Sequence, residues 1–213
     1  MDHGQNPPVA VPSTSRYHEV MSALAAPSLM TEAEYLAMER ASSAKHELWN
    51  GQVFAMTGGT LAHATLAMNF GAALVHALRD RRCRVLSSDA KVYIPITKGF
   101  VYPDVSVVCG PMLTYQDSDD VLLNPSVVIE VLSKSTERID RVEKFAGYRS
   151  IVSLQDYILV NQRSRRLEVY SRQDDASWVL RDYNDKEPVL SLFSIDATIV
   201  LDDIYRGVLD APA

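Results

Sequence analysis

The chain has no apolar run close to the roughly eighteen residues that cross a bilayer, and its start shows no basic segment leading into an apolar one. Neither a membrane helix nor a secretory leader is expected, and the protein is expected to be cytoplasmic. Cysteine is scarce, with Cys83 and Cys109 both set in apolar runs. Two cysteines do not make a disulfide scaffold, and they are read as buried thiols in a reducing compartment. Basic charge is also short. Lysine and arginine number 21 against 27 acids, for a net charge of -6, so the counterion-releasing footprint of a nucleic-acid binder is not visible globally. Local clusters at Arg79, Arg81, Arg82 and Arg84, and at Arg163, Arg165 and Arg166, are read as solvated helix ends and hairpin tips. That balance argues against tight, unaided binding to DNA.

What is present suits one domain: 213 residues, 47% hydrophobic and 23% charged, are enough to bury a substantial core. Residues 1–28 carry Pro7, Pro8, Pro12 and Pro27 without an apolar period, which predicts a disordered tail ahead of a single domain over 29–213. Thr31 and Glu34 in TEAE predict a capping box, opening a helix that buries Tyr35, Leu36 and Met38. HELWNGQVFAM predicts a hairpin around Asn50-Gly51, a pair that accepts positive φ at both turn positions. Apolar spacing from Thr60 to Arg82 predicts a helix of about six turns.

CRVLSS, KVYIPI and VYPDVSVVCG read as short strands, residues 111–125 as a loop, and the nearly continuous apolar SVVIEVLS as a strand covered on both faces. Ser135 or Thr136 would cap a helix to about Ser150 with Ile139, Val142, Phe145, Ala146 and Ile151 along one side. DYILVNQRSRRLEVYSR reads as two strands and a turn, and short strands near 178–183, 188–192 and 198–200 would complete the sheet. The element order implies an α/β (α+β) fold: a central mixed sheet with helices on its faces.

Two acids stand in strands that otherwise call for burial, Asp104 in VYPDVSVV and Glu130 in SVVIEVLS. Burying a carboxylate costs several kcal/mol unless it is paired or binds a cation. One such acid would be read as satisfied by backbone amides or an arginine. Two, separated by a polar loop, point to a shared divalent cation such as Mg²⁺ or Mn²⁺, which takes carboxylate oxygens and leaves positions open for phosphate.

The series PDV, a loop, VIEVLS, ST, then Asp140, Lys144 and Tyr148, then DYILV resembles the Uma family of restriction-endonuclease-like proteins, a branch of the PD-(D/E)XK nuclease superfamily. The resemblance covers roughly Met30 to Val208 and extends to Glu47 before the turn, His63, Ser88-Asp89 and Tyr157. It implies a restriction-endonuclease-like core and metal-dependent hydrolysis of phosphodiester bonds, with DNA a better candidate substrate than RNA and a homodimer as the expected assembly.

The resemblance implies that Asp104, Glu130 and the carbonyl of Val131 hold the metal, and that Glu47 holds metal-bound water or adds a ligand. His63 is a candidate catalytic group, or a core histidine bonded to a carbonyl. The superfamily lysine two residues after the strand acid is replaced here by Leu132. Lys134, on the same strand parity, or Lys144, on the following helix, could take its place. Lys144 is preferred because Asp140, Lys144 and Tyr148 fall at i, i+4 and i+8 on one helical face. The alternative for that series is an ordinary surface ion pair. The missing lysine and the acidic charge also leave open a degenerate binding or regulatory module, or a structural homodimer.

Overall fold

The computed structural model describes residues 29–56, 58–133 and 137–209. The N-terminal segment 1–28, Lys134 and the expected caps Ser135 and Thr136 lie outside the described residues. Helix α1 (Glu32–Ala41) opens on Thr31, whose side chain accepts from the Glu34 amide while the Glu34 carboxylate accepts from the Thr31 backbone. The capping box thus satisfies two amides the first turn would otherwise leave bare. Tyr35 and Leu36 are buried, and Met38 is half-buried. Strands β1 (His46–Trp49) and β2 (Gln52–Ala55) form the hairpin, with Asn50 at φ 49° and Gly51 at φ 77°. Both turn residues are left-handed, as a type I′ turn requires.

Helix α2 (Leu61–Ala77) stops short of the expected Arg82 and buries Leu66, Phe70 and Leu74. Beyond it come β3 (Cys83–Ser87), β4 (Lys91–Ile94), β5 (Gly99–Val101), β6 (Val105–Cys109), β7 (Val121–Leu122) and β8 (Val127–Leu132). The span expected to be a plain loop contains β7 and a short 3₁₀ turn at Tyr115–Asp117. A π-helical turn, Ile139–Lys144, leads into α3 (Phe145–Tyr148). Strands β9 (Asp156–Asn161), β10 (Arg166–Arg172), β11 (Trp178–Asn184), β12 (Val189–Leu192) and β13 (Ala197–Val200) follow, then α4 (Leu201–Tyr205).

The fold is mixed α/β, but the strands divide between two mixed sheets and a separate hairpin. One sheet has the order β2-β1-β5-β4-β7, the other β11-β10-β9-β8-β6-β3, and β12 and β13 pair as a two-stranded sheet. VYPDVSVVCG is accordingly not one strand. β5 belongs to the first sheet and β6 to the second, and Tyr102-Pro103-Asp104 carries the chain between them. Strand β8 pairs antiparallel with β6 and parallel with β9, and all six of its residues are buried. Val127, Ile129 and Val131 face a core shared with α2, β12, β13 and α4, while Val128 and Leu132 face a second core built with Tyr148, Leu154 and the first sheet. Burial on both faces explains the nearly unbroken apolar sequence of β8.

Cys83 and Cys109 are directly opposite on β3 and β6 and form a disulfide, with Cα atoms 4.0 Å apart. The buried-thiol reading fails because antiparallel register brought together residues distant in sequence, and with it goes the basis for inferring a reducing compartment. The link closes a loop of 26 residues. Reduction should therefore lower stability by about 3 kcal/mol, and a thermal midpoint unmoved by reductant would count against it. Among the described residues no helix is long and apolar enough to cross a membrane.

The helix after β8 departs in part from expectation: Phe145 and Ile151 pack into the second core as the apolar spacing implied. Ile139, Val142 and Ala146 are exposed, whereas Asp140, Lys144, Gly147 and Tyr148 are buried. A Cβ on Gly147 would approach the Trp49 ring to 2.5 Å, so the glycine lets this helix lie close against β1. An ordinary helix buries its apolar stripe. This one buries an acid, an ammonium and a phenol, which demands partners for all three.

Candidate functional site

The partners come from both sheets. Glu47 lies on β1 of the first sheet. On the second, Val105 pairs with Ile129, so Asp104 sits across from Glu130, and both share strand parity with Val108 and Val128, which face α3. Lys144 Nζ lies 3.1 Å from Glu47 Oε1, 3.3 Å from Glu130 Oε1 and 3.7 Å from Asp140 Oδ1. Tyr148 donates its hydroxyl to the same Glu130 oxygen at 3.0 Å, and Tyr157 donates to the Asp140 carbonyl at 3.0 Å. Asp140 and Lys144 are therefore not a solvated surface pair, because their helical face is covered by the sheets.

Asp104 forms the other half. Its Oδ2 accepts from the Val131 amide at 2.7 Å and lies 3.2 Å from His63 Nε2. His63 is positioned by the start of α2, where Thr60 caps the helix by accepting from the His63 amide. The Thr60 hydroxyl in turn donates to Gln162, whose amide donates to the Leu132 carbonyl. Gln162 thus ties the end of β8 to the helix that presents His63. Sequence reasoning missed it; the only signal was its place just past the DYILV strand. The Tyr102 amide, which donates to Glu47 Oε1 at 3.0 Å, was equally hidden because a backbone donor leaves no mark on residue type.

Burial and charge set the protonation states. Removal from water pushes the Glu130 carboxyl well above the usual range; Lys144 pulls it back, and Asp140, Asp104 and Glu47 push it further up. Burial opposes the charge on Lys144, but Glu130, Glu47 and Asp140 outweigh it and hold the amine above its ordinary value. His63 is raised, chiefly by its hydrogen bond to Asp104 and against the effect of burial, with the Val131 backbone adding to the rise. Burial, then Glu130, raises Tyr148.

The chemistry available is thus four carboxylates, Glu47, Asp104, Glu130 and Asp140, gathered around one fixed ammonium and one imidazole. Among the described residues no group of three or more His, Cys, Asp or Glu is arranged to hold a metal ion as it stands. Glu130 is turned to Lys144 and Tyr148, and Asp104 to His63 and the Val131 amide. The donor set still fits a hard divalent cation in kind, being rich in carboxylate oxygen and acidic in balance. Several arginines of the two clusters are paired with acids: Arg81 with Asp196, Arg165 with Asp185 and Asp202, and Arg166 with Asp182.

Comparison with known proteins bears on family and fold. The Uma2 family, described as "Putative restriction endonuclease", matches residues 32–200. An "Uncharacterized protein slr1290" of Synechocystis is 37% identical over 182 residues, covering 85% of this chain and 94% of its own. "Uncharacterized protein sll1609" of the same organism is 32% identical over 162 residues, covering 76% and 92%. A crystal structure described as a putative nuclease belonging to DUF820, from Anabaena variabilis, superposes with a TM-score of 0.69 at 14% identity, covering 84% of this chain and 99% of that one. At that identity the likeness speaks for the fold.

Proposed function

The chain belongs to the Uma2 family, and from that premise we propose that it is a nuclease hydrolysing phosphodiester bonds of nucleic acid, DNA in preference to RNA, with a divalent cation. The observation that carries this reading is the position of Lys144. Its ammonium bridges Glu47 of the first sheet and Glu130 of the second, whose face also carries Asp104, although the strand position two residues after Glu130 holds Leu132. A lysine arriving from a helix supplies the charge that the strand lacks.

Asp104, Glu130 and the Val131 carbonyl would hold Mg²⁺ or Mn²⁺. Bound there, the cation would acidify a water molecule and offset charge on the phosphate. The protein's own groups do the rest. Lys144 stays protonated, so it serves as a donor and not as a base: it orients the attacking water and faces the charge that grows on the phosphate oxygens. Glu47 accepts from that water beside the ammonium, and the Tyr102 amide fixes the carboxylate in place. Tyr148 holds the Glu130 oxygen that Lys144 also engages. His63 orients Asp104, and Gln162 and Thr60 position His63.

The test is cleavage of single-stranded DNA, duplex DNA and RNA with Mg²⁺ or Mn²⁺ against a chelator control. Cation-dependent cleavage is expected, fastest on DNA. Asp104→Ala should abolish Mn²⁺ binding in calorimetry and reduce cleavage by at least about 100-fold. No cleavage of any substrate with either cation would instead favour a degenerate binding module. That second reading draws on Leu132 and on the acidic net charge.

A further inference from the structure

Helix α2 is apolar on the wrong side as well as the right one. Leu66, Phe70 and Leu74 are buried against the second sheet, yet on the opposite side Leu61 is 89% exposed, Met68 72% and Val75 57%, with Ala64 and Ala72 exposed between them. From Leu61 to Ala77 there is no Asp, Glu, Lys or Arg. A helix lying on a sheet with one face in water should carry charge there, and one that is apolar all round belongs in an interior. We propose that this face of α2 is the interface of a two-fold homodimer, in which two α2 helices cross antiparallel with the axis at Met68.

The occupant follows from the order of side chains. Relative to Met68, large residues stand seven positions before and after (Leu61, Val75) and alanines four before and after (Ala64, Ala72). A two-fold interface requires one patch to complement itself, and a stripe symmetric about its midpoint does so when the second helix runs the opposite way. Large side chains of one copy then meet the gaps left by alanines of the other, and the small residues allow close approach. The absence of charge means that no like charges face each other across the axis. From Leu61 to Val75 the stripe is about 21 Å long, too little alone for the roughly 800 Å² that each partner of a standard interface covers. Beside it, however, a groove of about 480 Å³ runs between α2 and β13, lined by Ala72, Ala73, Ile199 and Val200 together with the mutually paired Asp203 and Arg206. In the antiparallel arrangement Leu61 of the mate falls opposite Val75, over this groove, and extends the contact.

The full-length chain should sediment as a dimer at micromolar concentration. Met68→Glu should weaken association by at least about 100-fold, because it places two carboxylates together on the axis. The side chain it replaces is mostly in water within one chain, so the variant should fold, with an unchanged circular dichroism spectrum. A second variant locates the axis. Met68→Cys should form an intermolecular disulfide on mild oxidation, whereas Val75→Cys should not, since two copies of position 75 lie about 21 Å apart along the helices. The wild type provides the blank, its two cysteines being paired with each other. A monomeric wild type would give the stripe to residues 1–28 or to another protein and overturn the proposal. So would a Met68→Glu dimer, or cross-linking through position 75 as efficient as through 68.

Discussion

Replacing Lys144 with methionine should destabilise the folded protein by about 3–5 kcal/mol near neutral pH, because the change strands carboxylates that the ammonium now compensates. Glu130 is 4% exposed and Asp140 2%, and both face Lys144, as does Glu47. Methionine matches the lysine stem in length, so packing is largely kept and the loss reports on charge. The sign with pH follows from Glu130. Its folded-state pKa is raised, so its ionisation costs stability as pH rises through that value, and Lys144 offsets the cost. Without the ammonium that offset is gone, and the penalty should be largest at neutral pH and above, shrinking as acid protonates Glu130. A second change, Glu130→Gln, should recover part of the loss, giving a coupling between the two sites that denaturant titrations of the four proteins can measure. Additive effects, or a Lys144→Met penalty indifferent to pH, would mean that the cluster does not carry the charge balance described.

The parts of this fold that could be read from sequence are those whose causes are local. The Thr31-Glu34 box, the Asn50-Gly51 turn and the doubly buried β8 each carry their reason within a few residues. The family resemblance rested on residues that the fold then gathers in one place: Glu47, His63, Glu130 and Lys144 come from four separate elements and Asp104 from the connection between two strands. What could not be read were relations between elements. VYPDVSVVCG alternates like one strand, and nothing within it says that its halves pair in different sheets. Cys83 faces Cys109 only because β3 and β6 are in that register.

The helix after β8 shows the limit most clearly. Its apolar residues fit a conventional buried stripe, and periodicity alone would bury Ile139, Val142 and Ala146 together with Phe145 and Ile151. A polar face is inside because Glu47 and Glu130 wait there for a cation, and the π-helical turn at Ile139–Lys144 belongs to the same segment. Departures of this kind gather where function overrides packing.

In a cation-dependent cleavage assay, Lys144→Met should lower turnover on the order of 10²–10³-fold, the range found when one fixed donor to a developing charge is removed. Binding of Mn²⁺ should move the other way. Lys144 now sits 3.3 Å from Glu130 and repels any second cation brought to that carboxylate. Removing it leaves Tyr148 as the donor to that Glu130 oxygen and takes away a positive charge, so the affinity for Mn²⁺ should hold or rise while cleavage collapses. The opposed signs separate two roles that stability alone would confuse. If Lys144 merely held the helix in place, its loss would loosen the whole cluster, and metal binding would fall together with turnover. Measurement at low temperature, with circular dichroism confirming that the variant is folded, keeps the comparison clean. Joint loss of Mn²⁺ affinity and cleavage in a folded Lys144→Met protein would remove the lysine from the chemistry and leave it a structural counter-charge.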